Sequence, residues 1–318
     1  MIPIVRPLLK ILVILGPTAS GKTRLAVRLA RRFNGEILSA DSRQVYRGLD
    51  IGTGKDLDEY GVIPHHLIDV ADPGDEFNLF RFQQLCLARI AEIHGRGGLP
   101  ILAGGTGLYL ESIIRGYRLT PARVDPRQRA ELNTLSDEAL ATRLFALKPD
   151  QHNTTDLETR DRMMRAIEIA LASRSDGEPV VPAPETEFLV LGLRWERAVL
   201  RERIAERLHR RLQEGMVEEV EGLLAAGVAE ETLEGMGLEY RFVTRLVRGA
   251  LTREACETQL VQAIRQFAKR QETWFRRMER QGIRIHWLDA AGDPENEAEA
   301  RVRWFLEASE PEPPVLPW

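Results

Sequence analysis

An octapeptide near the amino terminus constrains this chain more than any other feature. Residues 16–23 read GPTASGKT, which satisfies the pattern GxxxxGK[ST], and they follow an apolar run that predicts a strand, Lys10–Leu15. The next segment, TRLAVRLARRF, has apolar residues at helical spacing. A glycine-rich turn between a strand and a helix N-terminus directs backbone N–H groups at phosphate oxygens. The sequence therefore predicts a phosphate-binding loop whose ligand carries a polyphosphate.

Each position of this loop is a candidate for phosphate binding. The candidates are Gly16, Pro17, Thr18, Ala19, Ser20, Gly21, Lys22 and Thr23. Lys22 supplies positive charge for a terminal phosphate, and the Thr23 hydroxyl is the candidate ligand of Mg²⁺. No other group of His, Cys or carboxylate residues has metal-ligand spacing. We interpret His65 and His66 as structural, since adjacent residues of a strand point to opposite faces.

Apolar runs alternate with helical patterns through the first hundred residues, which favours a parallel sheet with crossover helices. The predicted strands are Lys10–Leu15, Glu36–Ala40, His66–Val70, Leu99–Ala103, 188–195 and 283–289, and the predicted helices after the first are Leu79–Arg96, Glu196–Ala226 and Thr252–Gln281. The fold class is α/β: a P-loop NTPase-like parallel sheet flanked by helices, with an all-helical insertion domain.

Residues 117–187 carry the insertion, because they are charged and helical in pattern and contain no strand signal. Asp125–Pro126 and Ser136 are typical helix starts, and the Pro-rich and acidic segment 175–187 is expected to be the return linker. Residues 1–116 and 188–290 form the two parts of the core. From Asp289 onward the chain has eight acidic residues and two arginines, so 291–318 is expected to be a mobile acidic tail.

Composition excludes several classes of protein. The 318 residues contain 44 Lys and Arg and 48 Asp and Glu, which gives a net charge of −4. The charge of the whole chain therefore does not indicate that it binds nucleic acid. Two distant cysteines, Cys86 and Cys256, exclude a disulfide scaffold and are consistent with a cytoplasmic protein. No run approaches the roughly 18 apolar residues of a membrane span, and the run Ile11–Leu15 is too short for a signal peptide.

Three further features sit where parallel strands end. Asp41 follows the second strand and leads into Ser42, Arg43 and Gln44; it is either a turn residue or part of a site for a flat substrate. The turn Gly104–Gly107 is either a tight turn or a substrate contact. Asp69 is the remaining candidate for a magnesium-binding acid, and a strand-end role is favoured.

The segment 241–284 is locally basic, with eleven Lys or Arg and four Glu. One side of its helix carries Arg265, Lys269, Glu272 and Arg276; the opposite side, expected to be buried, carries Ile264, Phe267, Ala268, Phe275 and Met278. A nucleic-acid surface and an ordinary solvated helix face both explain this pattern. Trp274 is expected in the core. Arg162 and Arg165 share a helix face in the insertion, and Asp161 is placed to pair with Arg165.

Five segments in this order, GPTASGKT, ADSRQVYRGLDIGTGK, GGTGLY, RMMRAIE and RQFAKRQETWFRR, resemble the bacterial tRNA dimethylallyltransferases over about residues 10–290. The resemblance implies a P-loop core with a helical insertion and a monomeric cytoplasmic enzyme. It also implies transfer of a dimethylallyl group from dimethylallyl diphosphate to N6 of adenine 37. The acceptors are tRNAs that read codons beginning with U, and diphosphate is released. The expected partners are the tRNA anticodon stem-loop and dimethylallyl diphosphate, and the expected cofactor is Mg²⁺.

The resemblance also assigns roles to particular residues. Asp41 matches the general base, and Lys22, Thr23 and Arg241 match residues that stabilise the diphosphate. The implied tRNA contacts are Asp41, Ser42, Arg43, Gln44, Thr106, Arg129, Arg162, Arg165, Arg265, Lys269 and Arg270.

Four places depart from the family pattern: Gly54 and Asp56 replace alanine and proline, Asp161 replaces glutamine, and Leu238–Glu239 lengthen the stretch before Tyr240. Other functions stay open at this point. They are a small-molecule P-loop kinase, an adenylate isopentenyltransferase and a nucleotide switch.

Overall fold

A six-stranded parallel sheet lies at the centre of the larger of two compact units. The computed structural model describes residues 8–119, 125–147, 157, 159–172 and 186–308. The strands are β1 (Leu9–Leu15), β2 (Gly35–Ser39), β3 (His65–His66), β4 (Leu99–Gly104), β5 (Thr186–Arg194) and β6 (His286–Asp289). Their order is β3-β2-β4-β1-β5-β6, and every neighbouring pair is parallel. The predicted α/β class is confirmed.

Helices cover both faces of this sheet and extend beyond it. In the larger unit, residues 1–116 and 184–318, they are α1 (Lys22–Arg32), α2 (Leu79–Gly95), α3 (Gly107–Ile114), α7 (Arg197–Gln213), α8 (Met216–Ala225), α9 (Glu230–Gly235), α10 (Leu238–Val247), α11 (Arg253–Arg280) and α12 (Pro294–Glu307). The smaller unit, Tyr117–Ala183, contains α4 (Pro126–Asn133), α5 (Asp137–Leu147) and α6 (Arg160–Ala172).

The alternation of side chains along β1 divides the core between two faces. Val13 packs with Phe82 of α2 and Phe275 of α11, whereas Leu12 packs with Leu29 of α1 and Val302 of α12. Because both faces of β1 are buried, its sequence is continuously apolar apart from its second residue. A third apolar cluster lies among α7, α8, α10 and α11. Packing on both faces of the sheet therefore fixes the central strands and the loops that follow them.

Two predicted boundaries are wrong because the backbone turns sharply. The strand expected at His66–Val70 ends at His66, since Leu67 and Asp69 have φ angles of +65° and +55°, outside the β region. The helix expected at Glu196–Ala226 is two helices, α7 and α8, separated by Gly215 with φ of +106°.

The expected mobile tail is also wrong for the part that the structure describes. Residues 294–307 form α12, which begins after Asp293, whose side chain accepts a hydrogen bond from the Asn296 N–H. Ala298, Val302 and Phe305 are buried against the sheet. The acidic side chains occupy the outer side of an amphipathic helix, so their number did not indicate disorder. Residues 309–318 lie outside the described residues.

The smaller unit has a core of its own, built by α4, α5 and α6. Leu132, Leu140, Leu144, Met164 and Ile167 form its centre. The predicted helix starts are confirmed, because the Asp125 carboxylate accepts from the Arg127 N–H and the Ser136 hydroxyl accepts from the Ala139 N–H. The described residues of this unit contain helices and no strand. The expected return linker lies outside the described residues up to position 185.

Over the part of the chain that the structure describes, no helix is both long enough and apolar enough to cross a bilayer.

Candidate functional site

Three loops meet at one edge of the sheet, because they follow the neighbouring strands β2, β4 and β1. Backbone hydrogen bonds join the first two: Ala40 N donates to Ala103 O (2.8 Å), and Thr106 N donates to Ala40 O (3.1 Å). The Thr106 hydroxyl then accepts from the Ser42 N–H (3.1 Å). The structure thereby brings together Asp41, Thr106 and the glycine-rich loop, at the edge where parallel sheets bind ligands.

The glycine-rich loop turns tightly between β1 and α1. Ala19 and Gly21 have φ angles of +61° and +92°, and α1 begins at Lys22. The Lys22 ammonium donates to the Pro17 carbonyl oxygen (3.0 Å). Gly16 is required because a Cβ at this position would lie 2.7 Å from the buried Ser20 hydroxyl oxygen. The loop therefore places the N-terminus of α1 and one ammonium group where a phosphate would bind.

Electrostatic effects connect Lys22 with its surroundings. Desolvation and the positive charge of Arg207 lower the pKa of the Lys22 ammonium to about 8, while the Asp41 carboxylate opposes the change. These interactions place Asp41 and Arg207 within electrostatic reach of the loop. An anion bound there would favour the protonated form of Lys22.

The segment after β2 contains both supporting and accessible residues. Gln44 is buried: its Oε1 accepts from the Ser39 hydroxyl (2.8 Å) and its Nε2 donates to the Gly54 carbonyl oxygen (2.9 Å). Asp41 is half-buried, and its Oδ1 accepts from the Arg43 N–H (2.9 Å). Gln44 thus supports the loop, and the Asp41 carboxylate is held at a fixed orientation beside the phosphate-binding loop.

The glycines after β4 permit close packing. A Cβ at Gly104 would collide with the Ala40 carbonyl oxygen, one at Gly105 with the Gln271 amide, and one at Gly107 with the Trp274 ring. These contacts favour the tight-turn interpretation for the glycines, whereas the Thr106 side chain faces the segment that carries Asp41.

Asp69 and the histidines have structural partners. The buried Lys55 ammonium donates to the carboxylates of Asp69 and Asp50, so Asp69 is part of an ion-pair cluster. His66 hydrogen-bonds the Glu36 carboxylate (2.8 Å), and His65 Nδ1 lies 3.3 Å from the Ile63 carbonyl oxygen.

Sequence reasoning missed several residues that contact the loop. Gln271 Oε1 accepts from the Thr18 N–H (2.8 Å), while its Nε2 donates to the Gly105 carbonyl oxygen (2.9 Å). Arg203 donates to the Ala19 carbonyl oxygen and Trp195 to the Ser20 carbonyl oxygen, both at 3.0 Å. The sequence offered a signal for one of these residues only: Gln271 is polar, yet it stands at a position of α11 where the helical period predicts a buried side chain.

Arg241 lies exposed on α10, where its Nε donates to the Glu234 carbonyl oxygen (3.2 Å). The arginine whose charge acts on Lys22 is Arg207 of α7. The assignment of Arg241 to the diphosphate stays a prediction.

The basic side of α11 borders a groove with α7. The groove has a volume of about 480 Å³, and its lining includes Arg197, Arg201, Arg265, Lys269 and Arg276. Arg265 also donates to the Arg201 carbonyl oxygen (3.2 Å). Arg270 is exposed beside the ring of Phe267.

One predicted core residue of α11 is misplaced: Phe267 is exposed, because the buried residues follow the stripe Cys256, Leu260, Ile264, Ala268, Gln271, Phe275 and Met278. Trp274 packs against the core as predicted, and its Nε1 donates to the Glu111 carboxylate (3.0 Å).

In the smaller unit, the buried Glu168 carboxylate accepts from Arg129 (3.0 Å) and Arg165 (3.2 Å). Asp161, which was expected beside Arg165, accepts from Arg129 (3.1 Å). Arg162 is exposed on the same helix. The arginines predicted in the insertion thus lie on α4 and α6, and two of them, Arg129 and Arg165, contact the Glu168 carboxylate.

The oxygen donors near the loop suit a hard cation with few protein ligands. They are the hydroxyl of Thr23, in the first turn of α1, and the buried hydroxyl of Ser20, which has no hydrogen-bond partner among the described residues. Mg²⁺ commonly takes one or two protein ligands and completes its shell with phosphate oxygens and water. Within the described ranges, no three His, Cys, Asp or Glu residues cluster as a metal site.

Comparisons with known proteins agree with this geometry. The sequence model of the family described as IPP transferase matches residues 44–278, and that described as isopentenyl transferase matches residues 9–60. The tRNA dimethylallyltransferase 2 of Syntrophotalea carbinolica is 59% identical over 89% of this chain and 95% of its own length. The tRNA dimethylallyltransferase 1 of Geotalea uraniireducens is 55% identical over 92% of this chain and 97% of its own length.

Two solved structures share the fold. The tRNA isopentenylpyrophosphate transferase of Bacillus halodurans is 35% identical with a TM-score of 0.68, covering 94% of this chain and 95% of that one. A eukaryotic dimethylallyltransferase acting on tRNA is 26% identical with a TM-score of 0.74, covering 96% of this chain and 81% of that one. The P-loop NTPase-like fold is thereby confirmed, and the chain belongs to the IPP transferase family.

Proposed function

We propose that this protein transfers a dimethylallyl group from dimethylallyl diphosphate to N6 of an adenine in tRNA, at position 37 beside the anticodon. The observation that carries the proposal is the position of Asp41 at the end of β2, where hydrogen bonds through Ala40 and Thr106 hold its loop at the same sheet edge as the phosphate-binding loop after β1. A base and a diphosphate site side by side are what transfer of an allylic group to an amine requires. The close relatives named tRNA dimethylallyltransferase support the choice of substrates.

The departing diphosphate would be stabilised by the loop. When the allylic C1–O bond breaks, its electron pair leaves with the diphosphate, and negative charge develops on that group. The N-terminus of α1 and the Lys22 ammonium are fixed around this position before the reaction begins. Fixed dipoles and charges of this kind lower the barrier because they need no reorganisation.

Asp41 would act on the acceptor. As the N6–C1 bond forms, N6 gains positive charge and loses a proton to the Asp41 carboxylate. Asp41 Oδ1 is held by the Arg43 N–H, which leaves Oδ2 as the atom that receives the proton. N6 is inaccessible in a stacked loop, so the adenine must be extruded from it.

We include Mg²⁺ in the proposal, held by the Thr23 hydroxyl with Ser20 nearby. Bound together with the diphosphate, the ion would neutralise charge on the leaving group.

Two basic surfaces would serve the tRNA. The groove between α7 and α11 presents Arg265, Lys269 and Arg276, which suit the phosphate backbone. In the insertion we assign the same role to Arg129, Arg162 and Arg165. Recognition of tRNAs that read codons beginning with U, a monomeric state and a cytoplasmic location stay predictions.

The proposal is tested by supplying labelled dimethylallyl diphosphate and Mg²⁺ with either unmodified tRNA transcript or AMP. We expect label in tRNA at adenine 37. Label in AMP alone would indicate an adenylate isopentenyltransferase. Turnover of ATP alone, with no transfer of the prenyl group, would indicate a kinase or nucleotide switch; either result contradicts the proposal.

Asp41→Asn tests the base. We expect transfer to fall by about a hundred-fold or more, the usual contribution of general base catalysis, with diphosphate affinity little changed. The exposed Asp58→Asn serves as the control and should behave as the wild type. If Asp41→Asn loses diphosphate binding instead, Asp41 has a different role.

A further inference from the structure

We propose that Glu111 is a positioning residue for the transfer reaction. It fixes the first turn of α3 and thereby holds the Thr106 side chain against the segment that carries Asp41. The inference rests on the proposed function, in which Thr106 and Asp41 serve the acceptor. It concerns an acid on α3 to which neither the loop motif nor the family resemblance assigned a role.

Glu111 is a buried carboxylate that receives hydrogen bonds from two helices. Only 1% of the residue is exposed. Its Oε2 accepts from Trp274 Nε1 (3.0 Å) and Arg277 Nη2 (2.7 Å), both on α11, and its Oε1 accepts from Arg115 Nε (3.2 Å) at the end of α3. Hydrogen bonds to a charged acceptor are stronger than those between neutral groups. The carboxylate therefore ties α3 to α11.

Trp274 extends this tie to the start of α3. Gly107 and Glu111 are four residues apart, so they lie on the same side of the helix. The Trp274 ring packs on Gly107, where a Cβ would collide with it, and its Nε1 reaches Glu111. The Arg277 guanidinium lies 4.0 Å from the centre of the same ring. One ring thus spans the first turn of α3.

Thr106 stands directly before this turn, as the N-cap residue of α3. Its carbonyl oxygen accepts from the first N–H groups of the helix, and its own N–H donates to the Ala40 carbonyl oxygen (3.1 Å). Its hydroxyl accepts from the N–H of Ser42, the residue after Asp41 (3.1 Å). A shift of α3 would therefore move Thr106 relative to the Asp41 segment.

The orientation of α3 depends on such contacts. The helix has only eight residues, so its own hydrogen bonds give it little independent stability. Its other aromatic contact, the Tyr109 ring stacked on Phe82 of α2 at a centroid distance of 4.0 Å, is apolar. Apolar burial is not directional, whereas the three donors to Glu111 occupy set positions.

Stability alone does not require an acid at this position. Apolar side chains of similar volume often replace buried ion pairs without loss of stability. What they do not supply is a set of directional bonds between α3 and α11. The presence of a buried acid with three donors therefore favours a positioning role for Glu111.

Hydrogen exchange followed by mass spectrometry on the full chain tests the positioning without requiring any transfer reaction. Glu111→Gln keeps an acceptor for Trp274 Nε1 but leaves the Arg277 cation without its counter-charge. We expect amide exchange to be about tenfold faster, or more, in peptides that cover 40–44 and 104–110, because their local opening costs less free energy. Exchange in β1 should be unchanged.

Kinetics give the second measurement. Glu111→Gln should lower kcat for transfer to tRNA by about tenfold or more, because the acceptor is held less accurately. The affinities for inorganic diphosphate and for tRNA, measured by calorimetry, should stay close to the wild-type values. When Thr106→Val is already present, Glu111→Gln should have no further effect on kcat, since Glu111 acts through Thr106.

Two controls separate position from stability and from loss of charge. Phe305→Ala removes a buried ring on the other face of the sheet, so it should lower stability without changing kcat or the exchange of 104–110. Glu257→Gln removes a carboxylate of α11 that forms an exposed pair with Arg253 (3.1 Å), and it should behave as the wild type. If Glu111→Gln fails to fold, Trp274→Phe takes its place, with smaller changes of the same kind expected.

Unchanged exchange around Thr106 in Glu111→Gln would overturn the inference, as would equal losses of kcat and diphosphate affinity. Additive effects of Glu111→Gln and Thr106→Val on kcat, or the same changes in Phe305→Ala, would also overturn it. A wild-type protein that does not prenylate tRNA would instead contradict the proposed function. The exchange measurement would still decide whether Glu111 positions Thr106, so the two failures are distinguishable.

Discussion

At the scale of single residues, carboxylates join segments that are far apart in sequence. The Glu219 carboxylate on α8 accepts from the N–H groups of Asp50 (2.9 Å), Ile51 (2.7 Å) and Gly52 (3.1 Å), and also from the Tyr240 hydroxyl (2.5 Å). Hydrogen bonds to a charged acceptor are stronger than those between neutral groups. One side chain thereby fixes the segment that continues from the Asp41 loop.

The Glu36 carboxylate of β2 also joins distant segments, and its pKa predicts how the stability of the protein depends on pH. Two hydrogen bonds from Arg96, both 2.6 Å, and one from His66 oppose its desolvation and lower the pKa of Glu36 to about 2. Because the folded-state pKa lies below the unfolded value of 4.5, the stabilisation is present above about pH 4.5 and is lost as the pH falls towards 2.

We therefore expect Glu36→Gln to be less stable than the wild type at pH 6, with the difference shrinking between pH 5 and 2. Urea unfolding across this range measures it. Glu92→Gln is the control, since Glu92 forms an exposed pair with Arg89 and such pairs contribute little. A difference that does not vary with pH would contradict the assignment.

At the scale of elements, α11 connects the site to the basic groove. Its buried stripe packs on the sheet, its exposed side carries Arg265 and Lys269, and Gln271 bonds both the phosphate-binding loop and the turn after β4. A single helix thus contacts the loops that would hold diphosphate and carries the surface assigned to tRNA. Its length of 28 residues makes both contacts possible.

Gln271→Glu tests this connection. The carboxylate can still accept from the Thr18 N–H, but it cannot donate to the Gly105 carbonyl oxygen, which is left facing another acceptor. We expect the KM for dimethylallyl diphosphate to rise several-fold, because the loop is less firmly held, and stability to fall by about 1–3 kcal/mol. Steady-state kinetics and urea unfolding measure the two effects. Gln259→Glu, on the exposed side of α11, should change neither; equal effects in the two variants would contradict the role of Gln271.

At the scale of the whole molecule, the last described helix, α12, packs in the same core as the first strand, β1. The Lys10 ammonium of β1 donates to the carbonyl oxygens of Phe305 (2.7 Å) and Ala308 (2.7 Å), at the C-terminus of α12. A cation at this end of a helix also interacts favourably with the helix dipole. Contacts between residues nearly 300 positions apart therefore help to cover this face of the sheet, on which both α1 and α12 pack.

Phe305→Ala should destabilise the larger unit by about 3–5 kcal/mol, the usual cost of removing a buried phenylalanine ring. Urea unfolding followed by circular dichroism measures the loss. Trp304 is 53% exposed, so Trp304→Ala is the matched aromatic control and should have a small effect. If both substitutions cost the same, α12 does not pack as described.

The sequence by itself determined the local features: the glycine-rich loop between β1 and α1, the parallel sheet, the helical insertion and the position of Asp41 at a strand end. Each of these follows from periodicity or from a motif within a few neighbouring residues. The end of β3 was misplaced because two residues other than glycine, Leu67 and Asp69, adopt a positive φ there. Local propensity does not reveal such turns.

Only the tertiary structure decided which distant side chains reach the loop. Gln271, Arg203 and Arg207 come from helices more than 180 residues later in the chain, and packing brings them to Thr18, Ala19 and Lys22. The same holds for α12, whose acidic side chains suggested a mobile tail although its apolar side is buried. Contacts and burial depend on how elements pack, and a pattern of residue types along one segment does not contain that information.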